Sequence, residues 1–191
     1  MASKNTSKNK SIGVIGAGSF GTAMANILAE NNKKILLYAR TPEKAQKITE
    51  SRKAAGQDLS DRIEVTNDLK RVGNECDIIF PMVPSANFRD MMQDLSPFLR
   101  PYHIMIHGTK GFDLKTPKDF KATPQNPLTR EHVRTMSEVI QHESSVVRVG
   151  CLAGPNLAKE IAEHKPAATV VASQFDEVIK VGQKLLKNDR F

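Results

Sequence analysis

The chain has no tryptophan, two tyrosines and two cysteines, Cys76 and Cys151, among its 191 residues. So few thiols cannot staple a disulfide scaffold, and a single domain of this length buries enough core to need no staple. Both cysteines read as reduced core residues in or beside strands, packing as small hydrophobes. Long apolar runs are missing too. The stretch from Ile78 to Val83 falls far short of the roughly 20 residues that span a bilayer, and the polar start from Met1 to Lys10 has no signal-peptide apolar segment. This pattern reads as a cytoplasmic protein. The five histidines are scattered, and His103 and His107 lack the companion Cys, His or carboxylate spacing of a zinc site, so no metal is expected. The formal charge is +7, but Lys4, Lys8 and Lys10 contribute three of it and the rest is dispersed, so no element offers a nucleic-acid face.

What is present is a regular alternation. After a Ser-, Asn- and Lys-rich start over residues 1–10, read as a flexible leader, Ile12, Val14 and Ile15 form a short apolar run. The glycine-rich Gly16-Ala17-Gly18-Ser19-Phe20-Gly21 follows, and then Thr22 to Asn31 with Ala23, Ile27 and Leu28 at helical spacing. Lys34 to Ala39 reads as a second strand, and Thr41-Pro42 as an N-cap with proline at the first helical position of a helix reaching about Lys53. Further strands are expected at Ile63–Val65, Asp77–Val83, His103–His107, Val146–Cys151 and Ala167–Ala172. Helices are expected near Asp68 and over Ser85–Leu95, Arg130–His142, Asn156–Ala162 and Asp176–Lys187. Phe112 to Thr129, with Pro117, Pro124 and Pro127, reads as a surface excursion. Alternation of this kind predicts an α/β domain over residues 11–191, a doubly wound, mainly parallel sheet with helices on both faces.

The pattern Gly16-x-Gly18-x-x-Gly21 carries the first chemical signal. Its first glycine allows a tight turn, its second lets the backbone approach a pyrophosphate, and its third lets helix and strand pack closely. Uncapped N–H groups at the helix start then face the anion. Because the motif follows a strand and opens a helix inside a βαβ unit, it predicts a Rossmann-type dinucleotide site. Where an NAD-binding fold usually presents a carboxylate at the end of the second strand, this chain presents Arg40. A guanidinium can pair with a 2′-phosphate, which favours NADP(H) over NAD(H); the competing reading is a solvated arginine paired with Glu43.

Three more patterns fall at the ends of later strands: Val83-Pro84-Ser85-Ala86-Asn87-Phe88-Arg89, Gly108-Thr109-Lys110-Gly111, and Ala153-Gly154-Pro155-Asn156-Leu157-Ala158-Lys159-Glu160. With the opening Gly-Ala-Gly-Ser-Phe-Gly-Thr-Ala they resemble, in order and spacing, the amino-terminal domain of bacterial-type NAD(P)-dependent glycerol-3-phosphate dehydrogenase. The resemblance implies that Ser19 and Phe20 contact the cofactor beside Gly16, Gly18 and Gly21. It also implies that Arg40 lies by the adenosine, Phe88 walls the cofactor cleft and Ala158 lies against the cofactor. Lys110 looks like the family lysine touching both cofactor and substrate, and Gly154 and Asn156 match substrate-lining positions. Two departures are visible: many family members carry Ser or Thr where Asn156 stands, and the loop after Phe112 is long. Independently of the resemblance, an ammonium at a strand end between two glycines suits an oxygen of a small anion. Arg89 and Lys159, on helices, read as solvated charges.

The implied reaction is reduction of dihydroxyacetone phosphate to sn-glycerol 3-phosphate with NAD(P)H, for phospholipid synthesis. The resemblance implies a helical second domain after residue 191 carrying the general-acid lysine and a phosphate-clamping arginine, so the chain alone is expected to be inactive. Its last residues, Lys187 to Phe191, offer no cap or stop signal. The alternatives are a non-catalytic nucleotide-sensing module and a related two-domain dehydrogenase acting on another small acid. Oligomeric state stays open, a homodimer of the full-length protein included.

Overall fold

The computed structural model describes residues 11–31, 34–114 and 121–191. The leader expected at 1–10 and the part of the surface excursion at 115–120 lie outside them. In chain order the elements are β1 (Ser11–Ile15), α1 (Ser19–Glu30), β2 (Ile35–Tyr38), α2 (Pro42–Ser51), β3 (Lys53–Ala54), β4 (Gln57–Asp58), β5 (Ile63–Thr66), α3 (Leu69–Glu75) and β6 (Cys76–Pro81). There follow α4 (Phe88–Leu95), β7 (Ile104–His107), β8 (Phe112–Leu114), β9 (Val133–Thr135), α5 (Met136–Glu143), β10 (Arg148–Ala153), α6 (Ala158–Ala162), β11 (Val170–Ser173) and α7 (Asp176–Leu186). Seven strands form one sheet in the order β11-β10-β7-β6-β1-β2-β5.

Side-chain alternation along the strands builds two cores, because successive residues of a strand point to opposite faces. Ile12, Val14, Ile35, Leu37, Phe80 and Ile106 pack on one face beneath Met24 and Leu28 of α1, Ile48 of α2 and Val178 of α7. Ile15, Leu36, Ile79 and Met105 pack on the other beneath Val72 of α3, Met92 and Leu95 of α4 and Val139 and Ile140 of α5. Both faces are thus covered, as a parallel sheet requires. Cys76 is buried in the second core, and Cys151 is partly buried.

The strands from β5 across to β10 are all parallel, but β11 runs antiparallel to β10. A parallel neighbour needs a crossover that returns the chain to the opposite end of the sheet. Helix α6 has only five residues, about 7.5 Å at 1.5 Å per residue, so the chain re-enters from the end it left.

Three expectations need correction. The helix expected from Arg130 starts at Met136: Arg130–His132 is a single 3-10 turn, and the β-branched Val133 and Thr135 extend into β9, which pairs antiparallel with β8. Thr135 caps α5, its hydroxyl accepting from the Glu138 N–H at 3.3 Å while the Glu138 carboxylate accepts from the Thr135 N–H at 2.7 Å. Second, a two-residue hairpin, β3–β4, occupies what reads as loop, turning through Ala55 and Gly56 at φ 48° and 79°. Third, Arg89 is not a solvated charge. It ion-pairs with Asp113 on β8 and Glu143 on α5, and only 27% of its side chain is exposed. Lys159 does stand in solvent, its side chain 87% exposed.

Candidate cofactor and substrate site

Every motif singled out in the sequence falls beyond the carboxyl end of a sheet strand: the glycine turn after β1, Arg40 after β2, Val83-Pro84 after β6, Lys110 after β7 and Gly154 to Ala158 after β10. The winding reverses between β1 and β6, since β1 is followed by β2 on one side while β6 lies on the other. Open α/β sheets bind ligands in the crevice outside such a point.

The glycine turn is built for backbone proximity. Gly16 has φ 116°, and a Cβ there would come within 2.7 Å of the Met82 carbonyl oxygen. A Cβ on Gly21 would lie 1.8 Å from the Gly16 carbonyl oxygen, so α1 leans on β1 only because position 21 is glycine. A Cβ on Gly18 would meet nothing within 4 Å, so that glycine is not needed for packing within the protein. Open space over the second glycine, at the start of a 12-residue helix whose N-cap supplies no side-chain hydrogen bond, fits a bound diphosphate. The chain's own residues therefore accommodate a dinucleotide.

A groove of about 430 Å³ runs from Gly16 and Gly18 between two walls. One wall is Arg40, Thr41 and Lys44 on the first turn of α2; the other is Pro84, Asn87, Asp90 and Asp94 at and along α4. Among the described residues Arg40 forms no ion pair, with Glu43 or any other carboxylate. Tyr38 lies between the walls, and burial, followed by Asp94, holds its hydroxyl above its ordinary pKa of 10.0 despite Arg40. It is therefore a neutral donor at physiological pH. Lys44, Asp90 and Asp94 were not singled out from the sequence. Lys44 lies in the first turn of α2, after the extended Thr41 cap, and Arg40 precedes that helix; Asp90 and Asp94, four residues apart within α4, share one face of it. A larger cavity of about 730 Å³ runs along α1 away from the strand ends, between the β3–β4 turn and α6. It includes Ser19 but none of the motif glycines, so the smaller groove is the better dinucleotide candidate.

The remaining residues are distributed unevenly. Phe20 is partly buried against the core, and a Cβ on Gly108 would meet its ring at 2.7 Å, so the start of α1 abuts the turn that carries Lys110. Lys110 itself is exposed. Phe88 does not face the groove: it is fully buried, edge-on to the His107 ring at 5.9 Å between centroids. It supports the groove from beneath. Gly154, at φ 150°, approaches the Ala168 carbonyl so closely that a Cβ would lie 2.9 Å away. Asn156 is buried, its amide donating to Thr169 Oγ1 at 2.9 Å while its Oδ1 has no partner among the described residues. Ala158 opens α6, partly buried. Among the described residues no cluster of metal-ligating side chains occurs.

A Rossmann sheet with a glycine turn, an uncapped helix start and a cation-lined second-strand end defines a dinucleotide-binding domain. The family model described as "NAD-dependent glycerol-3-phosphate dehydrogenase N-terminus" matches residues 11–179. The chain belongs to that family. It is 34% identical over 195 aligned positions to glycerol-3-phosphate dehydrogenase [NAD(P)+] of Saccharophagus degradans, covering 100% of this chain and 50% of that protein. It is 36% identical to the enzyme of the same name from Ectopseudomonas mendocina, over 91% of this chain and 48% of that protein. The chain thus spans about half the length of these relatives. The crystal structure of glycerol-3-phosphate dehydrogenase from Coxiella burnetii shares its fold at a TM-score of 0.77 and 24% identity, over 95% of this chain and 52% of that one. Among the described residues no helix is long and apolar enough to cross a membrane.

Proposed function

We propose that this chain is the cofactor-binding part of a cytoplasmic enzyme that reduces the C2 carbonyl of dihydroxyacetone phosphate to give sn-glycerol 3-phosphate, with NADP(H) preferred over NAD(H). The observation that carries the reading is the groove at the β1/β6 crevice, floored by Gly16 and Gly18 and walled by Arg40 and Lys44. A bound nicotinamide supplies the hydride. The α1 start, with Ser19 and Phe20, holds the diphosphate, while Arg40 and Lys44 pair with a 2′-phosphate. Lys110 holds an oxygen of the substrate, and Gly154, Asn156 and Ala158 close the far side. The unpartnered Asn156 Oδ1 suits a substrate hydroxyl, since a buried acceptor left unpaired costs stability until a donor arrives.

Cofactor choice tests the groove directly. Arg40→Glu should weaken NADPH binding by about 1–3 kcal/mol, the scale of a lost charge-assisted contact, while sparing NADH. Lys44→Ala should act in the same direction and less strongly. Calorimetric titration checks both, and equal affinities for the two cofactors, unaltered by Arg40→Glu, would sink the preference. Turnover is a separate question, because a lysine that holds the substrate oxygen cannot readily also reprotonate the alkoxide. The 191 residues should therefore gain thermal stability from NADPH while its oxidation with dihydroxyacetone phosphate stays at background. Oxidation that is robust and disappears in Lys110→Ala would mean that the proton donor lies within this chain.

A further inference from the structure

We propose that Arg89 is a positioning residue for Lys110, acting through Asp113; this rests on the reading of Lys110 as a ligand-holding lysine. Arg89 sits in the first turn of α4, just after Asn87 of the groove wall. Its Nε donates to Asp113 Oδ1 at 3.2 Å, its Nη2 binds Asp113 Oδ2, and its Nη1 donates to Glu143 Oε1 at 3.2 Å. The two carboxylates are only 13% and 12% exposed. Gln93 donates to the second Glu143 oxygen at 3.1 Å, fixing that carboxylate as the back-stop of the guanidinium. A fork gripping both oxygens of Asp113 sets orientation as well as distance, which a single ammonium cannot do.

Asp113 is the third residue after Lys110, and the turn between them is anchored elsewhere by short-range contacts. Thr109 Oγ1 donates to the Val83 carbonyl at 2.7 Å. Gly111 stands at φ 113° so close to Ser85 that a Cβ would lie 3.0 Å from its hydroxyl. Thr109 holds the turn before Lys110, and the Arg89 fork holds it after. The same arginine ties this turn to α4, the helix that begins beside the groove.

The test combines hydrogen exchange with NADPH titration of the 191-residue chain. Arg89→Ala and the near-isosteric Asp113→Asn should each raise amide exchange in residues 108–114 at least tenfold, leaving the α1 and β1 amides as in the parent, and should weaken NADPH about fivefold. Arg89→Lys should restore less than half of either effect. With Lys110→Ala already present, Arg89→Ala should weaken NADPH no further. Exchange that rises throughout the domain, or an Arg89→Ala penalty undiminished in the absence of Lys110, would overturn the proposal. If Lys110→Ala alone leaves NADPH affinity unchanged, the ligand role of Lys110 in cofactor binding fails. The local exchange response then decides separately whether Arg89 fixes the turn.

Discussion

Gly21→Ala should cost the domain roughly 3 kcal/mol or more and abolish cofactor binding with it, whereas Gly18→Ala should leave the melting temperature unchanged and weaken NADPH more than tenfold. Both changes add one methyl group to the same turn, so the contrast comes from what surrounds each position. At position 21 the methyl would lie 1.8 Å from a backbone oxygen, that of Gly16. A carbonyl inside the turn cannot rotate away as a flexible side chain could, so α1 must shift on β1 and carry its buried Met24 and Leu28 with it. The roughly 1 kcal/mol of helix propensity gained on replacing glycine by alanine is too small to offset that. At position 18 the backbone is at φ −94°, open to any residue, and no atom lies within 4 Å. The methyl would intrude only on a ligand whose diphosphate comes up against the backbone. Thermal melts with and without NADPH separate the two outcomes. A Gly21→Ala variant that melts with the parent would contradict the packing argument, and a Gly18→Ala variant that binds NADPH normally would remove the diphosphate from this turn.

The part of the molecule legible in its sequence is the part determined locally. Gly16 to Gly21 declares both a turn and a ligand because backbone conformation and anion binding are served by the same residues. Thr41-Pro42 starts α2 as expected, Thr41 Oγ1 accepting from the Lys44 N–H at 3.3 Å. The errors lie where distant residues decide. The β8–β9 pairing joins Phe112 to Thr135 across the proline-bearing segment, and neither strand, at three residues, carries a period of its own. The direction of β11 depends on the shortness of α6 rather than on anything in Val170–Ser173. Arg89 looks like a surface charge because its partners stand 24 and 54 residues away. The groove follows the same division: Arg40 is found from its place at a strand end, whereas Asp90 and Asp94 enter only through the packing of α4 against the crevice. Phe88, expected to wall the cofactor cleft, is fully buried behind the groove, a placement set by the packing of α4 rather than by its own motif.

The fold should also lose stability on mild acidification, and His107 should be the cause. His107 is 7% exposed, shares a hydrogen bond between its Nε2 and Ser137 Oγ at 3.0 Å, and stands edge-on to Phe88. Burial pushes its pKa down from 6.5 to about 4, only partly opposed by the Thr109 backbone. The unfolded chain therefore takes up a proton here near pH 6.5 that the folded chain refuses until about pH 4, so acid favours unfolding throughout that interval. Stability is full above 6.5, declines as the pH falls, and by pH 4 the loss from this residue approaches about 3 kcal/mol. Glu64, Glu75 and Glu138 have carboxyls held below their ordinary 4.5 by hydrogen bonds, from Arg71 for the first two and chiefly from the Thr135 backbone for the third. Their stabilisation is present above 4.5 and is lost only as the pH falls through their lower folded values, so the interval from 6.5 to 5 isolates the histidine. Urea midpoints measured across that interval should slope downward in the parent and flatten in His107→Gln, even if the variant is less stable at pH 7. Ser137→Ala, which keeps the imidazole buried, should lose stability at every pH and retain the slope. A slope unchanged by His107→Gln would show that another group, and not the histidine behind the Lys110 turn, sets the acid response.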